Sequence, residues 1–384
     1  MSREFLMPGR IFSGENAARE AMPKIARLGK RALLVTGKIV RSLDVFSQFT
    51  GALREHGIEY KIFSEITGEP DDQMIQEGLG AYQANGCDFL IAVGGGSPID
   101  AMKAIAAQSA CGGILRDYMD KEICGRLPPM AAVPTTAGTG SEATKFTIIT
   151  DSETRVKMLL KGDALIPSVA VADPLYTKDA PPSVTAATGL DALTHAVEAY
   201  TSNKAQPLTD AVALSAVKRI FKYLPKAYQN GNDLEARSEL SIAALEAGIA
   251  INNASVTIVH GMSRPIGALF HVPHGLSNAM LLPGCMSFVK DGAPRQFAEL
   301  GFSTGEALPG DSDEVAAEKF IAALKKLCCL CRVPTVCEFG IDKWEFVRAI
   351  DKMTQDAIQS GSPANTRKSV TAQDIIKLYQ SLVD

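Results

Sequence analysis

Apolar positions in the first half of the chain come in short runs, at residues 32–35, 60–63, 89–93, 130–133 and 169–172. All but the second, which Lys61 interrupts, are continuous, and each is bounded by polar or turn-forming residues, which is the pattern of a buried strand. Residues 46–56 and 72–85, lying between the earlier runs, repeat their apolar positions at helical spacing. Strands alternating with helices predict a parallel sheet built from βαβ units. After Ala180-Pro181-Pro182 the pattern changes: the periodic segments become long and helical, and strand signals nearly vanish. Between residues 209 and 228, Val212, Leu214, Val217, Ile220, Phe221 and Leu224 mark one face of a helix. Residues 238–260 are apolar on most sides and predict one helix at the centre of a bundle, closed by His260. The double proline can continue neither a strand nor a helix interior. It divides the chain into an expected α/β domain over 1–182 and a helical domain over 183–384. No internal repeat or low-complexity tract interrupts either part.

Composition agrees with two domains. A chain of 384 residues exceeds what one ordinary core serves, and 46% hydrophobic with 21% charged residues is a globular mixture. The net charge of -4 leaves no broad basic face, which argues against nucleic acid or an anionic membrane as partner. Met1-Ser2-Arg3-Glu4-Phe5-Leu6 lacks the apolar centre of a signal peptide, and no uninterrupted apolar stretch is long enough for a bilayer. A cytoplasmic protein is the expectation. Eight cysteines in a chain this long do not form a disulfide framework. The group Cys328, Cys329, Cys331 and Cys337 lacks the doubled CxxC pattern of zinc knuckles, and reads as small apolar filling.

Two loops carry candidate ligand chemistry. The run 89–93 passes directly into Gly94-Gly95-Gly96-Ser97-Pro98, after which a helix is predicted from near Asp100, with Ser97 as N-cap and Pro98 at its first position. Strand, glycine turn and helix N-terminus together form an anion site, because the backbone can approach a pyrophosphate and free N–H groups face it. The spacing is not the GxGxxG of the ordinary dinucleotide fingerprint, and a plain tight turn has the same composition. The second loop, Pro134-Thr135-Thr136-Ala137-Gly138-Thr139-Gly140-Ser141-Glu142, offers four hydroxyls on a permissive backbone. It suits ribose and phosphate, or is an ordinary Ser/Thr turn. Both loops follow predicted strands, where open α/β sheets bind nucleotides.

Histidine is scarce, with five in the chain. His56 stands in a polar context and reads as a surface residue; His195, His260, His271 and His274 all fall in the helical half. Asp191 and His195 are four apart on a predicted helix and so stack on one face. They read either as part of a divalent-metal site or as an Asp–His pair on a solvated surface. An N3O donor set of three imidazoles and a carboxylate suits Fe(II), Zn, Co, Ni or Mn without choosing among them.

Taken in order, Gly94–Asp100, Pro134–Glu142, Gly189–Tyr200, His260-Gly261-Met262 and Pro273-His274-Gly275 resemble the iron-containing (group III) alcohol dehydrogenases, and Asp374–Tyr379 is similar to the C-terminal helix of that family. The resemblance implies an N-terminal Rossmann-like dinucleotide-binding domain with a parallel sheet, a C-terminal all-helical metal-binding domain, and a cleft between them. It implies Asp191, His195, His260 and His274 as ligands to one divalent metal, foremost Fe(II). It implies an NAD or NADP site bordered by Gly95, Gly96, Ser97, Asp100, Thr135, Thr136, Ser141 and Lys157, and a homodimer. The implied reaction is hydride transfer between nicotinamide and a short alcohol or aldehyde, the metal polarising the substrate oxygen.

Two positions depart from the pattern of that family. Gly37, followed by Lys38, stands where many members carry an Asp that would bond the ribose and repel a 2′-phosphate, so NADP is expected to be tolerated. Arg264 stands where several relatives have a histidine near the substrate. Its planar, permanently charged fork suits a carboxylate, sulfonate or phosphonate on the substrate, as in a semialdehyde or sulfoacetaldehyde. The alternative is an acid-paired brace within the helix. His271 is then a candidate proton relay, or a structural residue. Polyol dehydrogenases and dehydroquinate synthases share this architecture and are the rival enzymes; a non-catalytic dinucleotide sensor is the rival of another class.

Overall fold

The computed structural model describes residues 2–119, 121–154 and 156–383. The chain forms two compact units, Leu6–Ala180 and Pro181–Asp384, the second joined by Met1–Phe5. This differs from the expected 1–182 and 183–384 division at the N-terminus. The Arg3 guanidinium donates to Ala205 O, and Gln206 Nε2 donates to Glu4 O at 2.9 Å, so these hydrogen bonds tie the opening residues to the helical unit. Pro181 and Pro182 also belong to that unit, as N-cap and first residue of its leading helix. Proline suits that place because its missing N–H would find no intrahelical partner there.

The first unit runs β1 (Arg10–Ser13), α1 (Ala17–Ile25), β2 (Arg31–Val35), α2 (Lys38–Arg41), α3 (Asp44–Glu55), β3 (Glu59–Phe63), α4 (Asp72–Ala84), β4 (Phe89–Gly94), α5 (Gly96–Cys111), β5 (Met130–Pro134), β6 (Phe146–Thr150), β7 (Lys157–Lys161) and β8 (Val169–Ala172). Six strands make one parallel sheet in the order β1-β8-β5-β4-β2-β3, while β6 and β7 form a separate antiparallel pair. Strands β4 and β5 are buried along their whole length, which explains why they read as unbroken apolar runs. Sequence reading missed β1, β6 and β7. Strand β1 is a short edge strand with exposed ends, and β6 and β7 alternate buried with half-buried positions outside the main sheet.

From β2 the chain moves outward to β3, then returns to place β4 on the other side of β2. The order therefore reverses between β2 and β4, and the crevice beyond their C-terminal ends is where such sheets take ligands. Gly37 follows β2 and the triple glycine follows β4. Helix α5 starts at Gly96 with Gly95 as N-cap, earlier than the expected start near Asp100 capped by Ser97. Gly95 has no side chain to cap with, and no acidic residue lies in the first turn, so the positive end of α5 stays uncompensated.

The second unit is helical: α6 (Pro182–Thr201), α7 (Pro207–Gln229), α8 (Leu234–Ala254), α9 (Ile258–Phe270), α10 (His274–Val289), α11 (Pro294–Thr304), α12 (Asp313–Leu330), α13 (Lys343–Gln359) and α14 (Ala372–Gln380). The single helix expected over 238–260 is two, α8 and α9, which meet at a 105° bend. Ser255 takes a left-handed φ of 65° at the break. His260 therefore lies in the first turn of a new helix and does not close a long one. The Tyr379 hydroxyl on α14 donates to Met262 O at 2.7 Å, fastening α9 from the far end of the chain. Among the described residues no single helix is long and apolar enough to cross a membrane.

Candidate active site

Helix α6 is buried through most of its length, so its polar residues are carried inside with its apolar ones. Asp191 is 1% exposed and His195 5%, which removes the solvated-pair reading. Gly275, in the first turn of α10, permits a close crossing over α6: a Cβ there would stand 2.5 Å from Ala187 O and 3.2 Å from Asp191 Cβ. That approach carries His274 to Asp191. The start of α9 delivers His260.

The four side chains converge. The Nε2 atoms of His195, His260 and His274 lie 3.9, 3.8 and 3.8 Å from Asp191 Oδ1. One donor atom from each of the four falls within 4.8 Å of every other. Metal bonds of about 2.1 Å place neighbouring tetrahedral donors about 3.5 Å apart, so this spacing can hold one ion. The Asn278 amide also reaches in, with Nδ2 2.7 Å from Asp191 Oδ1, 3.1 Å from His260 Nε2 and 3.3 Å from His274 Nε2. Two amide hydrogens cannot satisfy three converging acceptors, whereas a cation can. Burial alone would push the Asp191 carboxyl up, yet the imidazoles of His195, His274 and His260 and the Asn278 amide hold it below its ordinary value. Burial, with the neighbouring imidazoles, pushes His260 well down, so it is a neutral ring with a free lone pair. The site is open on one side, since the His274 side chain is 32% exposed. A catalytic metal needs such a free position.

Glu198, two turns along α6 from Asp191, has a part that sequence reading did not assign to it. It has no exposed surface, and Oε2 accepts from His260 Nδ1 at 2.5 Å. Oε1 accepts from Thr257 Oγ1 at 2.8 Å and from the Val259 N–H at 2.7 Å. One carboxylate thus caps the buried N–H groups at the start of α9 that have no intrahelical partner and fixes the His260 tautomer, turning Nε2 toward the cluster. The signal was present as Asp191, His195 and Glu198 at i, i+4 and i+7, one face of one helix.

In the first unit the two polar loops touch. The Thr135 N–H donates to Gly94 O at 2.9 Å, and a Cβ on Gly96 would stand 2.8 Å from Thr139 Cγ2. Thr136 lies against Gly95, 3.4 Å from where its Cβ would be. Uncapped N–H groups of α5 beside threonine hydroxyls fit a diphosphate. The oxygens of Asp100 are committed within the unit: Oδ1 accepts from Ser141 Oγ at 2.5 Å and Oδ2 from the Ile148 N–H at 2.9 Å. Lys157 opens β7 and pairs with Glu69 at 2.7 Å. Gly37 bridges to Glu65, whose carboxylate meets Lys38 at 3.1 Å. Glu65, just past the end of β3, thus lies beside Gly37 with its carboxylate already engaged by Lys38, which no local motif showed.

His271 and Arg264 both fall outside the cluster of four. His271 is exposed at the C-cap of α9 with a left-handed φ of 55°. Arg264 lies one helical turn after His260; burial pushes its guanidinium down, opposed by the field of Glu198. Its Nη1 donates to Ser362 Oγ at 3.2 Å, and among the described residues no carboxylate lies within ion-pair distance of it. The acid-paired brace is therefore not formed.

Residues 8–174 match the profile of the iron-containing alcohol dehydrogenases, and residues 185–383 match the profile of the Fe-containing alcohol dehydrogenase family, C-terminal part. The chain belongs to the iron-containing alcohol dehydrogenases. It is 37% identical over 382 residues to a 1,3-propanediol dehydrogenase of Klebsiella pneumoniae, covering 98% of each chain. The crystal structure of a 1,3-propanediol oxidoreductase superposes with a TM-score of 0.96 at 37% identity, covering 100% of both chains. That of a sulfoacetaldehyde reductase from Bifidobacterium kashiwanohense, in complex with NAD+, superposes with a TM-score of 0.88 at 26% identity, covering 100% of this chain and 99% of the other. As an iron-containing alcohol dehydrogenase the protein is an oxidoreductase acting on CH–OH groups, linked to NAD(P) and dependent on a metal.

Proposed function

We propose that Asp191, His195, His260 and His274 hold the metal, foremost Fe(II), and that the enzyme interconverts a short aldehyde bearing an anionic group with its alcohol. Bound there, the metal supplies Lewis acidity toward the substrate oxygen, and the nicotinamide carries the hydride. The residues of the chain do the rest. Glu198 keeps His260 in the tautomer whose Nε2 faces the cluster. The open side at His274 admits substrate. An anionic substrate would give the half-buried Arg264 the counter-charge its own fold does not provide. That unpaired guanidinium is the observation supporting an anionic substrate, and the likeness to a sulfoacetaldehyde reductase accords with it. A reduction assay over neutral, carboxylated, sulfonated and phosphonated short aldehydes, with and without chelator, tests the reading. Chelator-sensitive turnover highest on an anionic aldehyde is expected; preference for the neutral ones would reject the anionic substrate.

The cofactor is proposed to lie along Gly94–Ser97 and Pro134–Glu142, with Gly37 near the ribose and Lys157 at the margin. Gly37 has ordinary extended angles, so aspartate fits its backbone, although a Cβ would stand 3.1 Å from Ile66 O. Gly37→Asp is expected to lower kcat/KM for NADPH about tenfold through repulsion of the 2′-phosphate, while changing that for NADH little. Gly37→Ala, with the same crowding and no charge, should leave the NADPH/NADH ratio unchanged. An unchanged ratio in both variants would place residue 37 away from the ribose. We also infer a cytoplasmic homodimer. All eight cysteines are free thiols, as suits a reducing compartment, and β1 leaves one sheet edge open to a second copy. A solution mass equal to one chain would exclude the dimer.

A further inference from the structure

Lys103 lies on α5, one turn after Asp100, and has no exposed surface. Its Nζ donates to Thr144 O at 2.7 Å, Phe146 O at 2.8 Å, Thr144 Oγ1 at 3.1 Å and Ser141 Oγ at 3.3 Å. Every acceptor belongs to the segment that leads from the second polar loop into β6. Asp100 grips the same segment, through Ser141 Oγ and Ile148 N–H on its carboxylate and through Thr147 Oγ1, which donates to Asp100 O at 2.8 Å. Glu142 is buried beside them at 2% exposure. Burial pushes Lys103 down to about 8, against the fields of Asp100 and Glu142, so it stays cationic at neutral pH. Burial likewise raises Glu142 to about 7.

Burying an ammonium is expensive, and an apolar chain of similar length would fill the space without that penalty. What the cation does that methionine cannot is gather two inward-facing carbonyls and two hydroxyls on one point. Those bonds set the path of the chain from Ser141 to Phe146, and with it the attitude of Thr135–Gly140 toward the glycine turn. We propose that Lys103 is a positioning residue for the cofactor: it holds the second polar loop in the conformation that receives the dinucleotide, without touching it. This rests on the placement of the cofactor along the two loops.

The test is titration of the metal-loaded enzyme with NADH or NADPH, followed by nicotinamide fluorescence, alongside steady-state kinetics, metal content and melting temperature. Lys103→Met is expected to raise the Kd for the reduced cofactor about tenfold or more, with kcat at saturating cofactor changed less than about threefold and metal content unchanged. Thr144→Val, which removes one acceptor of Lys103 and the hydroxyl's own bond to Ser141 O but no charge, should raise Kd by about two- to fivefold, and carries the test should Lys103→Met not fold. A lower melting temperature with unchanged Kd in these variants would reduce Lys103 to a structural residue. Gly95→Asp separates the two readings, since it sets a negative charge at the glycine turn itself. Loss of binding in Gly95→Asp beside unchanged binding in Lys103→Met and Thr144→Val refutes only the proposal for Lys103. Unchanged binding in all three refutes the cofactor placement, and the proposal with it.

Discussion

The His195→Ala variant is expected to retain less than about one-tenth of a metal equivalent and to lose activity by a factor on the order of 10³. His195 supplies one of four converging donors, with Nε2 3.9 Å from Asp191 Oδ1. Its ring stacks on that of His260, with centroids 4.6 Å apart. Alanine removes the donor, opens space beside His260 and leaves Asp191 buried with less compensation for its charge. Metal that binds only the native state also stabilises it, so the variant should melt at or below the temperature of the chelated wild type. His56→Ala serves as the contrast, because His56 is exposed and its Nδ1 lies 3.0 Å from Ala52 O within its own helix. Elemental analysis decides: one full metal equivalent in His195→Ala would remove His195 from the ligand set, whatever happens to the rate.

For Arg264→Ala the expected result is a selective one. The kcat/KM for an anionic aldehyde should fall by roughly 2 kcal/mol or more, about thirtyfold, while a neutral aldehyde of similar size is spared. The argument is electrostatic. The guanidinium is half-buried, holds one hydrogen bond to Ser362 and meets no carboxylate within ion-pair range among the described residues. Lying four residues after His260, it stands about 6 Å further along α9, the span of a short carbon chain with an oxygen at one end and an anion at the other. Lysine should recover part of the loss, since it keeps the charge but not the planar fork. Equal losses on the two aldehydes, or a drop in melting temperature with selectivity intact, would return Arg264 to the scaffold.

Strands β2, β4, β5 and β8 lie within a residue or so of their sequence-predicted limits, because a central parallel strand buried on both faces must be continuously apolar, while edge strand β3 was legible from Tyr60, Ile62 and Phe63. Edge strand β1 and the amphipathic pair β6 and β7 carry no such constraint and were not legible. In the helical half the pairing of Asp191 with His195 followed from helix periodicity alone, but whether that face met solvent or other helices did not. Packing decided it: Gly275 lets α10 close on α6, and the break at Ser255 starts α9 where His260 can join. Local sequence could not show that break, since the group that caps it, Glu198, lies 62 residues before His260. Nor could it show that Glu65 stands beside Gly37, or that Lys103 spends its charge on a loop 38 to 43 residues ahead. The sequence by itself determined which residues have the chemistry and where the buried strands and the periodic helices run, because periodicity and side-chain type are local properties. Only the tertiary structure decided which of those groups meet and which charges stay unpaired, because burial and distance depend on segments remote in the chain.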